Sequence, residues 1–82
     1  MSLVNILVEN LSGEINENDL EKSFEKYGKV SSVSIVHEKN KMFAYVSMAK
    51  QNEADAAVKG LNNKELKGIK LKVSEAPVYW VI

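Results

Sequence analysis

The order in which two hydrophobic periods follow one another along the chain constrains its fold more than any other feature. Segments with apolar residues at every second position are typical of strands, and segments with apolar residues at every third or fourth position are typical of helices. Here the order is strand, helix, strand, strand, helix, strand within 82 residues. A chain of this length forms one domain with one core. The order βαββαβ predicts an α+β fold with a four-stranded antiparallel sheet and two helices on one face.

The first helix carries the clearest local signals. Asn16 suits the N-cap position, and Asp19 stands three residues later, where a capping box places its second member. Leu20 and Phe24 form an apolar stripe at helical spacing. Gly28 is expected to end this helix in the left-handed conformation.

The second helix and the last strand are predicted from periodicity alone. The helix pattern is formed by Ala54, Ala57, Val58 and Leu61, and only Gln51 or Asn52 precedes it as a cap. The segment 69–74 alternates apolar and lysine or serine side chains, which predicts one continuous strand.

The third strand divides its side chains between two environments. Successive side chains of a strand point to opposite faces, so Met42, Ala44, Val46 and Met48 face one way, and Phe43, Tyr45 and Ser47 face the other. Because Ala44 and Val46 suit the side packed against the helices, we expect Phe43 and Tyr45 to lie on the uncovered face. Neighbouring exposed rings mark an interaction surface.

Composition excludes several classes of function. The chain has no cysteine and a single histidine, His37, which argues against a thiol enzyme and against a metal site built from cysteine or histidine. No arrangement of a nucleophile and a base is visible, so neither an enzyme nor a cofactor is expected. No apolar run approaches the ~20 residues of a membrane span. We therefore expect an intracellular domain that does not contact membranes.

Charge is balanced overall but divided along the chain. Lysine is the only strongly basic residue type, with 11 lysines against 11 carboxylates. Residues 1–28 contain six carboxylates and two lysines, whereas residues 29–82 contain nine lysines and five carboxylates. The carboxylates of the first helix are expected to form a solvated face, and a local basic surface remains possible in the second part of the chain.

Two strand segments resemble the signatures of a known family. The segment 41–48, Lys-Met-Phe-Ala-Tyr-Val-Ser-Met, resembles the longer signature of the RNA recognition motif, and the segment 6–11, Ile-Leu-Val-Glu-Asn-Leu, resembles the shorter one. The resemblance extends from Val4 to about Ala76. It implies a ferredoxin-like sandwich that binds single-stranded RNA, with single-stranded DNA as an alternative ligand.

The resemblance implies roles for residues of the third strand. Tyr45 would stack on a base, and Phe43 would pack on a sugar or between nucleotides. Lys41 would contact a phosphate. The chain departs from the family pattern at Met42, which replaces a glycine, and at Met48, which replaces an aromatic residue.

Further roles fall on the first and last strands. Leu7 occupies a position that is usually aromatic, so it offers an apolar contact without a π-face. Asn5 and Glu9 share the open face and would hydrogen-bond to base edges. Lys70 and Lys72 are expected to alternate outward on the last strand and to add phosphate contacts.

The alternative function is a protein–protein interaction domain of the same family, with weak or no RNA binding. Its acidic first helix would dock a basic partner protein. The absence of arginine disfavours an acylphosphatase, and the absence of a Cys-x-x-Cys pair disfavours a metal carrier of similar layout.

The expected boundaries are a leader at residues 1–3, one domain at residues 4–76 and a tail at residues 77–82. The tail contains Tyr79 and Trp80, so it could cover the open face or cap a bound base. We expect the chain to be a monomer.

Overall fold

The computed structural model describes residues 3–76 and has the predicted order of elements. A short two-stranded hairpin is added between the second helix and the last strand of the sheet. The elements are β1 (Val4–Glu9), α1 (Glu17–Glu25), β2 (Val30–Glu38), β3 (Lys41–Met48), α2 (Gln51–Leu61), β4 (Glu65–Leu66), β5 (Ile69–Lys70) and β6 (Lys72–Glu75). No helix within residues 3–76 is long and apolar enough to cross a membrane.

The main sheet has the strand order β2-β3-β1-β6, and all three pairings are antiparallel. This arrangement confirms the predicted α+β fold. The two central strands, β3 and β1, are the two segments that carry the family signatures. Their side chains are therefore flanked by a strand on each side.

One face of the sheet packs against both helices and forms the core. Side chains from strands, helices and the connections between them share a single buried cluster, whose largest fully buried members are Phe24, Ile6, Ile15, Leu20, Met48, Leu71, Val8 and Val46. Fully burying an aliphatic or aromatic side chain of this size contributes about 1.5–3 kcal/mol. The core thus fixes which face of every strand is left without helices.

The start of α1 follows the sequence prediction. The backbone N–H of Asp19 donates to Asn16 Oδ1 at 2.8 Å, and the backbone N–H of Asn16 donates to Asp19 Oδ2 at 3.1 Å. These two bonds complete the capping box. In contrast, α2 begins at Gln51, and its N-cap residue Lys50 makes no side-chain capping bond, as the lack of a clean capping residue suggested.

The predicted role of Gly28 is wrong. The helix α1 ends at Glu25 with Lys26 as its right-handed C-cap, and Gly28 is not among the residues with positive φ. Glycine is required there for space, because a Cβ at Gly28 would overlap the side chain of Glu53. The carboxylate of Glu53 accepts a hydrogen bond from the backbone N–H of Lys29 at 3.2 Å, which links the exit of α1 to α2.

The predicted continuous strand over residues 69–74 is also wrong. Its first half forms β5, which pairs with β4, and only its second half joins the main sheet as β6. Between them, Leu71 is buried, and its backbone exchanges hydrogen bonds of 2.9 Å with Asn63 and Lys64 after α2. Because Leu71 pairs with this loop and not with β1, the alternation is divided between two sheets.

The β4–β5 hairpin is fastened to the start of α1. The ammonium of Lys67 lies 2.8 Å from Asp19 Oδ2 and donates to the backbone carbonyl of Glu14 at 3.0 Å. The hydrogen bond from Lys67, together with the one from the backbone of Asn16, lowers the pKa of Asp19 below its ordinary value of 3.8. One carboxylate therefore serves both the helix cap and the hairpin contact.

Replacing Gly60 in α2 tests the close contact between this helix and Tyr27, which follows α1. A Cβ at Gly60 would overlap the phenol of Tyr27. We expect Gly60→Ala to lower the free energy of unfolding, because overpacking costs about 1–3 kcal/mol, whereas the helix propensity of alanine returns only about 1 kcal/mol. Urea unfolding of Gly60→Ala in the wild-type and Tyr27→Ala backgrounds measures the coupling. The same substitution should stabilise the Tyr27→Ala protein, and a gain in both backgrounds would contradict the contact.

The capping carboxylate predicts a loss of stability in acid. Because the folded pKa of Asp19 is lowered, its contribution is present above the unfolded pKa and is lost as the pH falls through the folded pKa. We expect the free energy of unfolding to fall below about pH 4 in the wild type and to fall less in Asp19→Asn. Urea titrations between about pH 6 and pH 2 measure this, with Glu21→Gln on the exposed face of α1 as the control. Equal acid sensitivity of all three proteins would exclude the role.

Candidate nucleic-acid interface

The face of the sheet opposite the helices presents side chains in rows that cross all four strands. Tyr45 of β3 lies beside Leu7 of β1 and Ser34 of β2, and Leu7 lies beside Ser74 of β6. We call this set the central row. Its outer members are small serines, so the ring of Tyr45 and the side chain of Leu7 form the apolar middle of the face.

The two aromatic rings of β3 lie on this open face, as the alternation of the strand predicts. Both Phe43 and Tyr45 are partly buried, whereas Ala44 and Val46 between and beside them are fully buried on the helix side. The ring centroids of Phe43 and Tyr45 are 5.7 Å apart with an interplanar angle of 89°. The rings thus meet edge to face and do not form one flat platform. The tail, residues 77–82, for which covering this face or capping a bound base was kept as an alternative, lies outside the described residues.

Asn5 is held in place by a neighbour that the sequence interpretation did not single out. The hydroxyl of Ser47 donates to Asn5 Oδ1 at 2.7 Å, and Ser47 is only 8% exposed. This bond occupies an amide acceptor of Asn5 and leaves its NH₂ group as the donor side. The signal was present in the sequence, because Ser47 belongs to the same alternating set as Tyr45.

Carboxylates lie close to the aromatic rings. Burial raises the pKa of Tyr45, and the negative charges of Glu38 and Glu9 raise it further. Two lysines balance these charges, since Lys41 is the cross-strand partner of Glu38 and Lys72 is that of Glu9. The interface therefore has mixed charge and is not a basic patch.

Lys70 lies outside the main sheet, not on its last strand as predicted. It lies in β5, where its cross-strand partner is Glu65 of the small hairpin. Its backbone carbonyl accepts a hydrogen bond from the side-chain amide of Asn10 at 2.8 Å. The structure thus groups seven of the eight predicted residues on or beside the open face, namely Asn5, Leu7, Glu9, Lys41, Phe43, Tyr45 and Lys72.

A cavity of about 280 Å³ opens at one end of this face, where β1 ends and β3 begins. We call it the β1–β3 cavity. Its lining combines the ring of Phe43 with charged and amide side chains, and the complete set is Glu9, Asn10, Leu11, Asn40, Lys41, Met42 and Phe43. The backbone N–H of Leu11 donates to the carbonyl of Met42 at 3.4 Å, which joins its two walls. The sequence interpretation did not identify this cavity.

No cluster of three or more histidine, aspartate or glutamate side chains suited to a metal ion occurs within residues 3–76. The lone His37 is exposed at the end of β2, and its cross-strand partner is Met42.

Comparison with known proteins agrees with the signatures in β1 and β3. A family model described as RNA recognition motif matches residues 6–72. The chain is 39% identical over 75 residues to zinc finger CCHC-type and RNA-binding motif-containing protein 1 of Xenopus laevis. That alignment covers 87% of this chain and 34% of the relative, so the chain spans about a third of that protein's length.

Solved structures show the same fold. The RNA binding protein PG1 superposes with a TM-score of 0.81 at 34% identity, covering 89% of this chain and 93% of that one. The RRM3 domain of Mip6 superposes with a TM-score of 0.82 at 26% identity, covering 88% and 91% respectively. Together with the family match over residues 6–72, these similarities establish that the chain belongs to the RNA recognition motif family.

Proposed function

We propose that this RNA-binding module takes up single-stranded RNA on the open face of its sheet. The observation that carries the proposal is the central row, in which Tyr45 and Leu7 lie side by side on the two signature strands. A partly buried ring beside an aliphatic side chain suits the flat faces of unpaired bases. Stacking of this kind does not depend on which base is present, because every base has a π-face.

The surrounding side chains extend this surface in two directions. Phe43 lies one row away from Tyr45 and is placed to pack on a sugar or between two nucleotides. Asn5 directs an amide donor toward base edges on the other side, since Ser47 occupies its acceptor. These positions support a site for about two nucleotides.

The lysines of the interface support phosphate contacts at its two margins. Lys41 and Lys72 are both exposed. Lys41 lies on β3, the strand that carries the aromatic rings, and Lys72 lies on β6. Lys70 is omitted from the proposed site because it lies in the separate β4–β5 hairpin. Single-stranded DNA also presents unpaired bases and phosphates, so it is included as the second nucleic-acid ligand.

The exposed face of α1 supports a protein partner as the second candidate. Glu17, Glu21 and Glu25 are exposed on this helix, whereas Leu20 and Phe24 are buried beneath it. This acidic face lies on the helix side of the sheet, so a basic protein could dock there while RNA occupies the open face. Backbone amide NMR shifts that appear on α1 with a protein ligand, and on β1 and β3 with RNA, would distinguish the two interactions.

The proposed monomeric state is measured by sedimentation of the free chain.

Removing the ring of Tyr45 tests the proposed function. Stacking on an aromatic side chain is worth about 1–3 kcal/mol per base, so Tyr45→Ala should weaken binding of short RNA about 5- to 150-fold. Tyr45→Phe keeps the ring and should bind nearly as the wild type does. Fluorescence anisotropy with a labelled hexanucleotide measures both variants. Wild-type affinity in Tyr45→Ala would place the interface elsewhere.

The mixed charge of the interface predicts a shallow dependence on salt. With Lys41 and Lys72 as the two phosphate contacts, log affinity against log salt concentration should have a slope of about −1.4, which is about −0.7 for each contact to a single strand. Lys72→Ala should reduce the slope to about −0.7, whereas Lys70→Ala should leave it unchanged. A loss of slope in Lys70→Ala would contradict the placement of the RNA.

A further inference from the structure

The β1–β3 cavity adjoins the aromatic rings but lies beyond the central row. Its volume of about 280 Å³ is close to the lower end of the range for small-molecule sites, about 300–1,000 Å³. Phe43 lines the cavity, and it also contacts the ring of Tyr45 at 89°. Phe43 therefore stands between the base position on Tyr45 and the cavity, and a strand of RNA that passes it can place the adjacent nucleotide there.

Two charged side chains of the cavity stand opposite a charge on the next strand but make no hydrogen bond or ion pair within residues 3–76. Glu9 is partly buried. Its carboxylate forms no hydrogen bond or ion pair with any group in residues 3–76. The same holds for the exposed ammonium of Lys41. In contrast, the side-chain NH₂ of Asn10 already donates a hydrogen bond to the backbone carbonyl of Lys70. The cavity thus offers a group that only accepts hydrogen bonds beside a group that only donates them.

This pair of groups matches the edge of one base better than the others. The Watson–Crick edge of guanine presents the O6 acceptor followed by the N1–H and N2–H₂ donors. A carboxylate accepts two parallel donors, and charge-assisted bonds of this kind are the strong ones. Uracil places a single donor between two carbonyl oxygens that repel a carboxylate. Adenine and cytosine each place one amino group beside an unprotonated ring nitrogen.

We propose that the β1–β3 cavity binds guanine in the nucleotide adjacent to the one stacked on Tyr45. Glu9 accepts hydrogen bonds from N1–H and N2–H₂, Lys41 donates to O6, and Phe43 packs against the base. The inference rests on the proposed RNA binding, and it adds a preference for one base to a surface that stacks bases of any kind. Glu9 is then the residue that determines specificity.

The test compares oligonucleotides that differ at one position. Hexauridylate and variants with a single guanosine, adenosine, cytidine or inosine at each internal position are titrated with the 82-residue chain by fluorescence anisotropy. A bidentate contact of this kind discriminates by about 5- to 150-fold, so guanosine at one position should bind at least about fivefold more tightly than uridine there. Inosine lacks the 2-amino group and should fall between them.

Matched variants assign the preference to the cavity. Glu9→Gln should reduce the ratio of guanosine affinity to uridine affinity to about one. Glu38→Gln should keep the wild-type ratio, because Glu38 also lies near Tyr45 but does not line the cavity. Equal affinity for all the oligonucleotides, or an unchanged ratio in Glu9→Gln, would overturn the guanine site. If Tyr45→Ala still weakens every oligonucleotide in that case, the proposed RNA binding stands. Failure of every oligonucleotide to bind would overturn both.

Discussion

The register of β3 between its two neighbours is the constraint on which the rest of the structure depends. Ala44 is paired with Val8 and Ile35 on the buried side, which forces Tyr45 to the opposite side next to Leu7. A shift of one residue would exchange the two sets, placing aromatic rings against the helices and small apolar side chains in solvent. The same hydrophobic packing that stabilises the core therefore also presents the surface proposed to bind RNA.

Alternation and capping chemistry were sufficient to predict most of the fold, because both are local. The pairing of Asn16 with Asp19 and the two faces of β3 depend on residues three positions apart or fewer. The position of Lys70 could not be predicted this way, since the alternation over residues 69–74 does not specify which strand is the partner. The space that Gly28 leaves for Glu53 and the bond from Ser47 to Asn5 likewise join distant parts of the chain. The positions of the candidate side chains could be predicted where they depend on strand alternation, but not where they depend on tertiary contacts.

The charges on the open face have different effects on the affinity for the phosphate backbone and on the choice of base. A surface with Glu9 and Glu38 beside Lys41 and Lys72 attracts the phosphate backbone weakly, compared with a basic patch. Stacking supplies attraction that is indifferent to base identity, and carboxylates penalise bases whose edges present carbonyl oxygens. On the proposed site, base selection depends on what the surface repels as well as on what it attracts.

The perpendicular contact between Phe43 and Tyr45 affects the free energy of nucleotide binding. An edge-to-face aromatic pair is worth about 0.5–1.5 kcal/mol. Whenever either ring turns to receive a base, this contact is lost, and the observed affinity contains the cost of its loss. Where nucleotide entry turns a ring, binding therefore selects a receptive aromatic arrangement over the self-paired one.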